Sequence, residues 1–287
     1  MRSWLHIPAG NAARLDKAAA LPADVMVVDF HAEPGEVTGE TRAQAAAWLS
    51  EHGTGKAAFA RWVRIRPVSA PQWREDLVAV MPARPDGVVM TGVETPDDVR
   101  QLGSELYELE QRHGLAPNSM PLVLELGASA RGALAIERMA LDPHPRVFGV
   151  TWNPAMLARD IGSAHAPGKV GWPAPMAHVR AQTVLVAKAL GALALEAAYP
   201  VWRDADAFGR ACALARRDGF DAMAAVHPAQ LGPINDRFSP TEAERAEADI
   251  MVARFEESPS ANVLSIAGRM VDRAQLARAR RVLAMPC

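Results

Sequence analysis

The chain has 287 residues, 49% hydrophobic and 22% charged, with 31 Lys and Arg against 33 Asp and Glu. That apolar fraction excludes a disordered chain, and a formal charge of −2 gives no electrostatic ground for nucleic acid or an anionic membrane as partner. Cys212 and Cys287 are the only cysteines, too few for a disulfide framework or a thiolate zinc site.

In chain order, short apolar runs alternate with longer segments of helical character. Strands are expected at Trp4–Ile7, Val25–Asp29, Trp62–Ile65, Gly87–Met90, Leu122–Glu125, Val147–Val150, Leu193–Ala197 and Ala222–Val226. These runs have little polar alternation, which suits strands covered on both faces. Helices are expected between them at Ala12–Ala20, Thr41–Glu51, Pro71–Val80, Pro96–His113, Ala130–Ala140, Pro175–Leu190 and Asp204–Arg217. Thr95-Pro96-Asp97-Asp98 supplies an N-cap, a first-turn Pro and early acids. Eight strands alternating with helices predict parallel βαβ units. No G-x-G-x-x-G follows the first strand, which argues against a nucleotide-binding doubly wound sheet. The count and the length favour an α/β fold of one (β/α)₈ (TIM) barrel, which takes about 250 residues. The barrel is expected over residues 1–239. Residues 240–287 form a helical extension, with helices opening at Ser239-Pro240-Thr241-Glu242 and over Arg273–Leu283. This extension is expected to pack on its own barrel or on a neighbouring subunit. No stretch reads as a signal peptide or as a span of roughly 20 apolar residues, so a soluble, cytoplasmic protein is expected.

In such a barrel, chemistry belongs at the C-terminal ends of the strands. Asp29, followed by Phe30-His31-Ala32-Glu33, reads either as a base or ligand pair or as a loop cap beside an incidental His. Arg64 and Arg66 lie two apart, on one side of their strand. One can enter the mouth and hold a carboxylate bidentately, while Arg66 can equally be solvated beyond the strand. Glu125 ends the fifth strand, before a small-residue turn, Gly127-Ala128-Ser129-Ala130, that suits an anion at a helix start or simply a tight turn. After the sixth strand, Asn153 is the only strong polar group. His227 after the eighth reads as a structural hydrogen-bonding residue. H-E-x-x-H, H-x-x-x-H, G-x-S-x-G and P-loop patterns are absent. His6 and His31 are expected together at the mouth, and with Glu125 they are the candidates for an unconventional divalent site.

Several longer motifs converge. They are Ala225-Val226-His227-Pro228-Ala229-Gln230 with Pro233-Ile234-Asn235, and Gly268-Arg269-Met270-Val271-Asp272 followed by Ala279-Arg280-Arg281-Val282-Leu283. Ser3-Trp4-Leu5 with Pro8, Gly10 and Arg14, Val63-Arg64-Ile65, and Leu157-Ala158-Arg159-Asp160-Ile161-Gly162 support them. On these residues the chain resembles the HpcH/HpaI aldolase and citrate lyase superfamily, in the branch of the citrate lyase β subunit and malyl-CoA lyases. The resemblance implies a TIM barrel, a homo-trimer or hexamer, and a carbon–carbon lyase acting on a small carboxylate or acyl-CoA. It also implies Mg²⁺ stabilising an enolate. It assigns Arg64 to the substrate carboxylate and Arg14 to the arginine after the first strand.

The departures are as specific as the matches. The second strand of relatives ends Asp-Leu-Glu-Asp, here Asp29-Phe30-His31-Ala32, and their Pro-Lys-Val-Glu is Thr91-Gly92-Val93-Glu94. The metal-binding Glu falls on Ala128, the metal-binding Asp on Met156, and the acid that reaches a neighbouring site on Ala267. The residues present therefore lead us to expect no cofactor, magnesium being implied by resemblance alone. A site lacking both metal acids has too few anionic oxygens for a hard cation. Arg64, Arg14 and Glu125 are left as the expected substrate-binding residues, and no catalytic residue is assigned. Two functions stay open: a citrate-lyase-like carbon–carbon lyase with altered chemistry, and an inactive homologue that binds a carboxylate or supports a partner enzyme.

Overall fold

A computed structural model describes residues 1–31, 37–53, 55, 57–168 and 171–285. They fall into two compact units, Met1–Asn235 and Asp236–Cys287. The first is a closed barrel of eight parallel strands: β1 (Ser3–Pro8), β2 (Val25–Asp29), β3 (Ala60–Ile65), β4 (Gly87–Val93), β5 (Leu122–Leu126), β6 (Val147–Trp152), β7 (Leu193–Glu196) and β8 (Ala222–Ala225). Closure is made by β1 pairing with both β2 and β8. All eight expected strands are present, shifted at their ends by at most three residues.

The helices follow from local signals. Thr95 caps the helix Pro96–Arg112 in a reciprocal capping box with Asp98. The expected helix Ala130–Ala140 is interrupted, forming Ala130–Ala135 and Arg138–Leu141. A helix over Pro154–Ile161 was not anticipated, although Asn153 and Pro154 are a cap and first-turn Pro of the usual kind.

Barrel register explains the site. Trp4, Val25, Val27, Trp62, Val89, Val123, Leu195 and Ala222 form one buried apolar cluster filling the barrel. The Trp62 indole fits because its register partner is Gly87, where a Cβ would stand 2.4 Å from the ring. Side chains alternate along a strand, so the residues two further on also face inward. On six strands these are His6, Asp29, Arg64, Thr91, Glu125 and Ala224, a mostly polar tier above an apolar plug, and Thr151 and Ala197 line the barrel mouth as well.

The second unit holds the helices Glu242–Glu257 and Arg273–Ala284, plus an antiparallel pair that the sequence reading did not include, β9 (Val263–Ile266) and β10 (Arg269–Asp272). Ala267 and Gly268 join the pair with φ of 49° and 77°, the left-handed pair a tight two-residue hairpin requires. Phe255, Val271 and Leu276 are its buried centre. No helix of the described residues is long and apolar enough to cross a membrane.

Candidate functional site

The polar tier is organised around Arg64. Arg64 is only 7% exposed, and its guanidinium lies between two buried carboxylates, Asp29 and Glu125. Nη1 donates to both Asp29 oxygens at 2.9 and 3.2 Å. On the other edge, Nη2 and Nε donate to Glu125 Oε2 at 2.6 and 3.2 Å. Neighbours complete the network. Asp29 Oδ1 accepts from the His31 backbone N–H at 2.9 Å, and Oδ2 faces His6 Nδ1 at 3.2 Å. Glu125 Oε1 accepts from Asn153 Nδ2 at 3.0 Å, while the Asn153 carbonyl caps the next helix at Met156 N–H.

Burial acts upward on the Asp29 carboxyl, but the Arg64 charge and the bond from His6 outweigh it and hold the group well below the ordinary carboxylate range. Burial also opposes the charge on Arg64, and Glu125 and Asp29 overcome it, keeping the guanidinium firmly protonated. An ionised carboxylate accepts only, so His6 Nδ1 carries the proton in the His6–Asp29 pair. Burial and the nearby Arg64 lower the pKa of His31, which favours its neutral form.

This cluster forms part of the wall of a cavity of about 900 Å³ at the barrel mouth. His6, Asp29, Arg64, Glu125, Thr151 and Asn153 lie on the barrel side, and Arg14 and Lys17 enter from the helix Ala12–Ala18. Among the described residues, and with the histidines neutral, the cavity sets three cations against two carboxylates. Trp202 and His227 form part of the rim, their rings stacked at 3.6 Å and 8°. Arg203 lies 4.9 Å over the Trp202 ring.

The structure brings together Arg64, Arg14, Glu125 and His6 in this one cavity. It also makes several corrections. Arg64 meets two carboxylates of its own chain. Arg66 is not solvated: it binds Asp76 at 2.6 and 2.9 Å, because β3 ends at Ile65 and the chain turns toward the helix Trp73–Val80. His31 contributes its backbone to Asp29 and does not line the cavity, whereas His227 does. His227 is also structural, since its Nδ1 accepts from Ala229 N–H. Of the two readings of Asp29, the loop cap is seen, at the His31 N–H, and Asp29 also pairs with Arg64. Ala32 and Glu33 lie outside the described residues.

The small-residue turn after β5 is a tight turn, with Gly127 at φ 61° and Ser129 capping the next helix. Its first free N–H, that of Ala130, is taken by the chain's own Asp160 carboxylate at 2.7 Å. Neither Ala128 nor Met156 lines the cavity. Among the described residues, no group of three or more His, Cys, Asp and Glu is placed to hold a metal ion. Asn153 is the site residue whose role the sequence reading underrated, and its cap-plus-Pro signal marks where it sits.

A model of the HpcH/HpaI aldolase/citrate lyase family matches residues 2–228. A (3S)-malyl-CoA thioesterase of Cereibacter sphaeroides is 28% identical over 288 residues, covering 99% of this chain and 93% of the relative. A citrate lyase subunit beta-like protein of Deinococcus radiodurans is 27% identical, covering 99% of this chain and 96% of the relative. Among solved structures, CitE of Mycobacterium tuberculosis in complex with magnesium, acetoacetate and coenzyme A superposes with a TM-score of 0.69 at 25% identity. That match covers 98% of this chain and 96% of CitE.

Proposed function

The chain belongs to the HpcH/HpaI aldolase/citrate lyase family, and from that premise we propose that its barrel mouth binds a small carboxylate, free or as an acyl-CoA, using Arg64 and no magnesium. The observation that carries this reading is the Arg64 cluster. A permanently charged, buried guanidinium stands at the inner end of the cavity, and Arg14 and Lys17 add positive charge at its wall. A guanidinium has five N–H donors. Nη2 spends one of its two on Glu125, leaving a donor for a ligand oxygen.

The donor set does not fit magnesium. That ion needs near-octahedral hard oxygens, anchored by carboxylates. The residues aligned with the family's metal acids are Ala128 and Met156. The two carboxylates in the cavity are both engaged by Arg64. Glu125 is therefore a counterion of Arg64 in this reading and does not substitute for a lost ligand. Magnesium-assisted carbon–carbon cleavage, the reaction suggested by the citrate lyase relatives, loses its electrophile here. A homo-trimer or hexamer and a cytoplasmic location belong to the same proposal.

Calorimetry with oxaloacetate and with malonate, in chelator and again with Mg²⁺, tests the reading. Binding that is indifferent to the metal and lost in Arg64→Ala is expected. Binding that appears only with Mg²⁺ would overturn it.

A further inference from the structure

The cavity contains a proton-transfer pair that the binding role leaves unused. His6 sits on β1, its Nδ1 3.2 Å from Asp29 Oδ2, and its side chain is 16% exposed toward the cavity. Asp29 is itself 2% exposed and fixed by other contacts, among them two from Arg64 Nη1 and one from the His31 N–H. An ionised carboxylate at Nδ1 fixes the tautomer, so Nε2 carries the lone pair. No hydrogen bond among the described residues involves Nε2. A buried acid orienting an imidazole whose second nitrogen is unengaged is the arrangement of a general base.

Among the described residues the cavity wall holds no Ser or Cys for this base to activate, and Thr151 is the only hydroxyl. Water is then the nucleophile. Neutral imidazole activates water only modestly, which calls for a reactive carbonyl such as a thioester. We propose that His6, oriented by Asp29, is the general base of a metal-independent hydrolysis of carboxylate-bearing acyl thioesters. This rests on the reading above that the acid end of the ligand sits at Arg64.

In the reaction, His6 Nε2 takes a proton from water while the water oxygen bonds to the thioester carbonyl carbon. The carbonyl π pair moves onto oxygen and then returns, breaking the C–S bond. The thiolate leaves and takes the proton from Nε2, so the products are a carboxylic acid and a thiol, with no other reactant. Hydroxyl and carbonyl chemistry elsewhere in the chain is not required.

The test follows thiol release from malonyl-, succinyl- and (3S)-malyl-CoA with chelator present, alongside calorimetry of malonate. At least one thioester should be hydrolysed. His6→Gln should then lose about 10²–10⁴-fold in kcat with little change in KM. The other titratable or charged groups at the cavity are Asp29, Arg64, Glu125, His227, Arg14 and Lys17, all of which His6→Gln leaves in place. Added imidazole should restore part of the rate to His6→Ala, a response that a purely structural histidine would not show. Malonate binding without hydrolysis of any probe would overturn the role of His6 and leave the binding reading intact. Hydrolysis that survives in His6→Gln, or that chelator abolishes, would also overturn it. Loss of malonate binding itself would bring down the binding reading, and this inference with it.

Discussion

Replacing Arg64 by Met removes the one cation that faces both buried carboxylates. Asp29 loses bonds of 2.9 and 3.2 Å, and Glu125 loses bonds of 2.6 and 3.2 Å. His6 and the His31 N–H still serve Asp29, and Asn153 still serves Glu125. Breaking a buried pair by removing one partner costs about 3–5 kcal/mol. At a slope of about 3 kcal/mol per molar urea, that moves the unfolding midpoint down by about 1–2 M. The loss must also depend on pH. Asp29 has a depressed folded pKa, so its contribution is present above its unfolded value near 3.8 and fades as pH falls below it. The gap between wild type and Arg64→Met is therefore widest near neutrality and narrows through the acid range. Urea titrations of both proteins at one protomer concentration, across that range, measure it. A second comparison separates lost attraction from lost volume. Adding Asp29→Asn and Glu125→Gln to Arg64→Met should recover most of the stability, because no uncompensated charge then stays buried. A gap under about 1 kcal/mol, one that ignores pH, or no recovery in the triple variant would refute the electrostatic account.

Four further outcomes follow from the same contacts. Gly87→Ala forces a Cβ to within 2.4 Å of the Trp62 ring and should cost about 1–3 kcal/mol in urea unfolding; a neutral effect would mean the barrel filling is loose. Ala267→Gly relieves a left-handed backbone at φ 49° and should stabilise the C-terminal unit by about 1 kcal/mol, read as slower proteolysis of that unit. Burial lifts the Glu196 carboxyl above its ordinary value despite Arg180, so stability should decline as pH rises from the unfolded value near 4.5 through the folded one. Glu196→Gln should flatten that slope in urea midpoints. Glu125→Gln should tighten malonate binding at least about tenfold, an effect of about 1.4 kcal/mol, by weakening a competitor for Arg64; weaker binding would mean that Glu125 itself contacts the ligand.

The barrel was legible because its signal is repeated eight times, and because strands buried on both faces are apolar at nearly every position. Arg64 was legible as a mouth residue for the same reason, as it lies two residues beyond the core residue Trp62. Its partners were harder to see. Asp29 and Glu125 lie 35 and 61 residues from Arg64 along the chain, and closure of the barrel is what makes them neighbours. Arg66 does lie beyond the strand, since β3 ends one residue earlier, but it is held by Asp76, ten residues on, and is not solvated. The hairpin of the second unit has its own local mark, alternating Val263-Leu264-Ser265-Ile266 followed by Ala267-Gly268. Its Ala in the first turn position hides the pattern, since Asn or Asp normally marks such turns. Stacking of Trp202 on His227 brings together loops 25 residues apart, and no local pattern announces it.

The network around Arg64 is not symmetric, and on the proposed binding role that asymmetry is what would let an already neutralised site take up an acid. Asp29 is tied by His6 and by the His31 backbone in addition to Arg64, so removing the guanidinium contact leaves it with at least two donors. Glu125 depends on Arg64 and one amide, Asn153 Nδ2. An incoming carboxylate therefore displaces Glu125 more readily than Asp29, exchanging one Arg64–carboxylate contact for another of similar strength. The guanidinium never passes through an unpaired state, which would be costly at 7% exposure. A metal centre would need its acids as ligands throughout. Here the same two acids take unequal parts, Asp29 holding Arg64 and His6 in place while Glu125 yields. That division would keep the His6–Asp29 pair assembled with a ligand bound, which is what the proposed proton transfer at Nε2 requires.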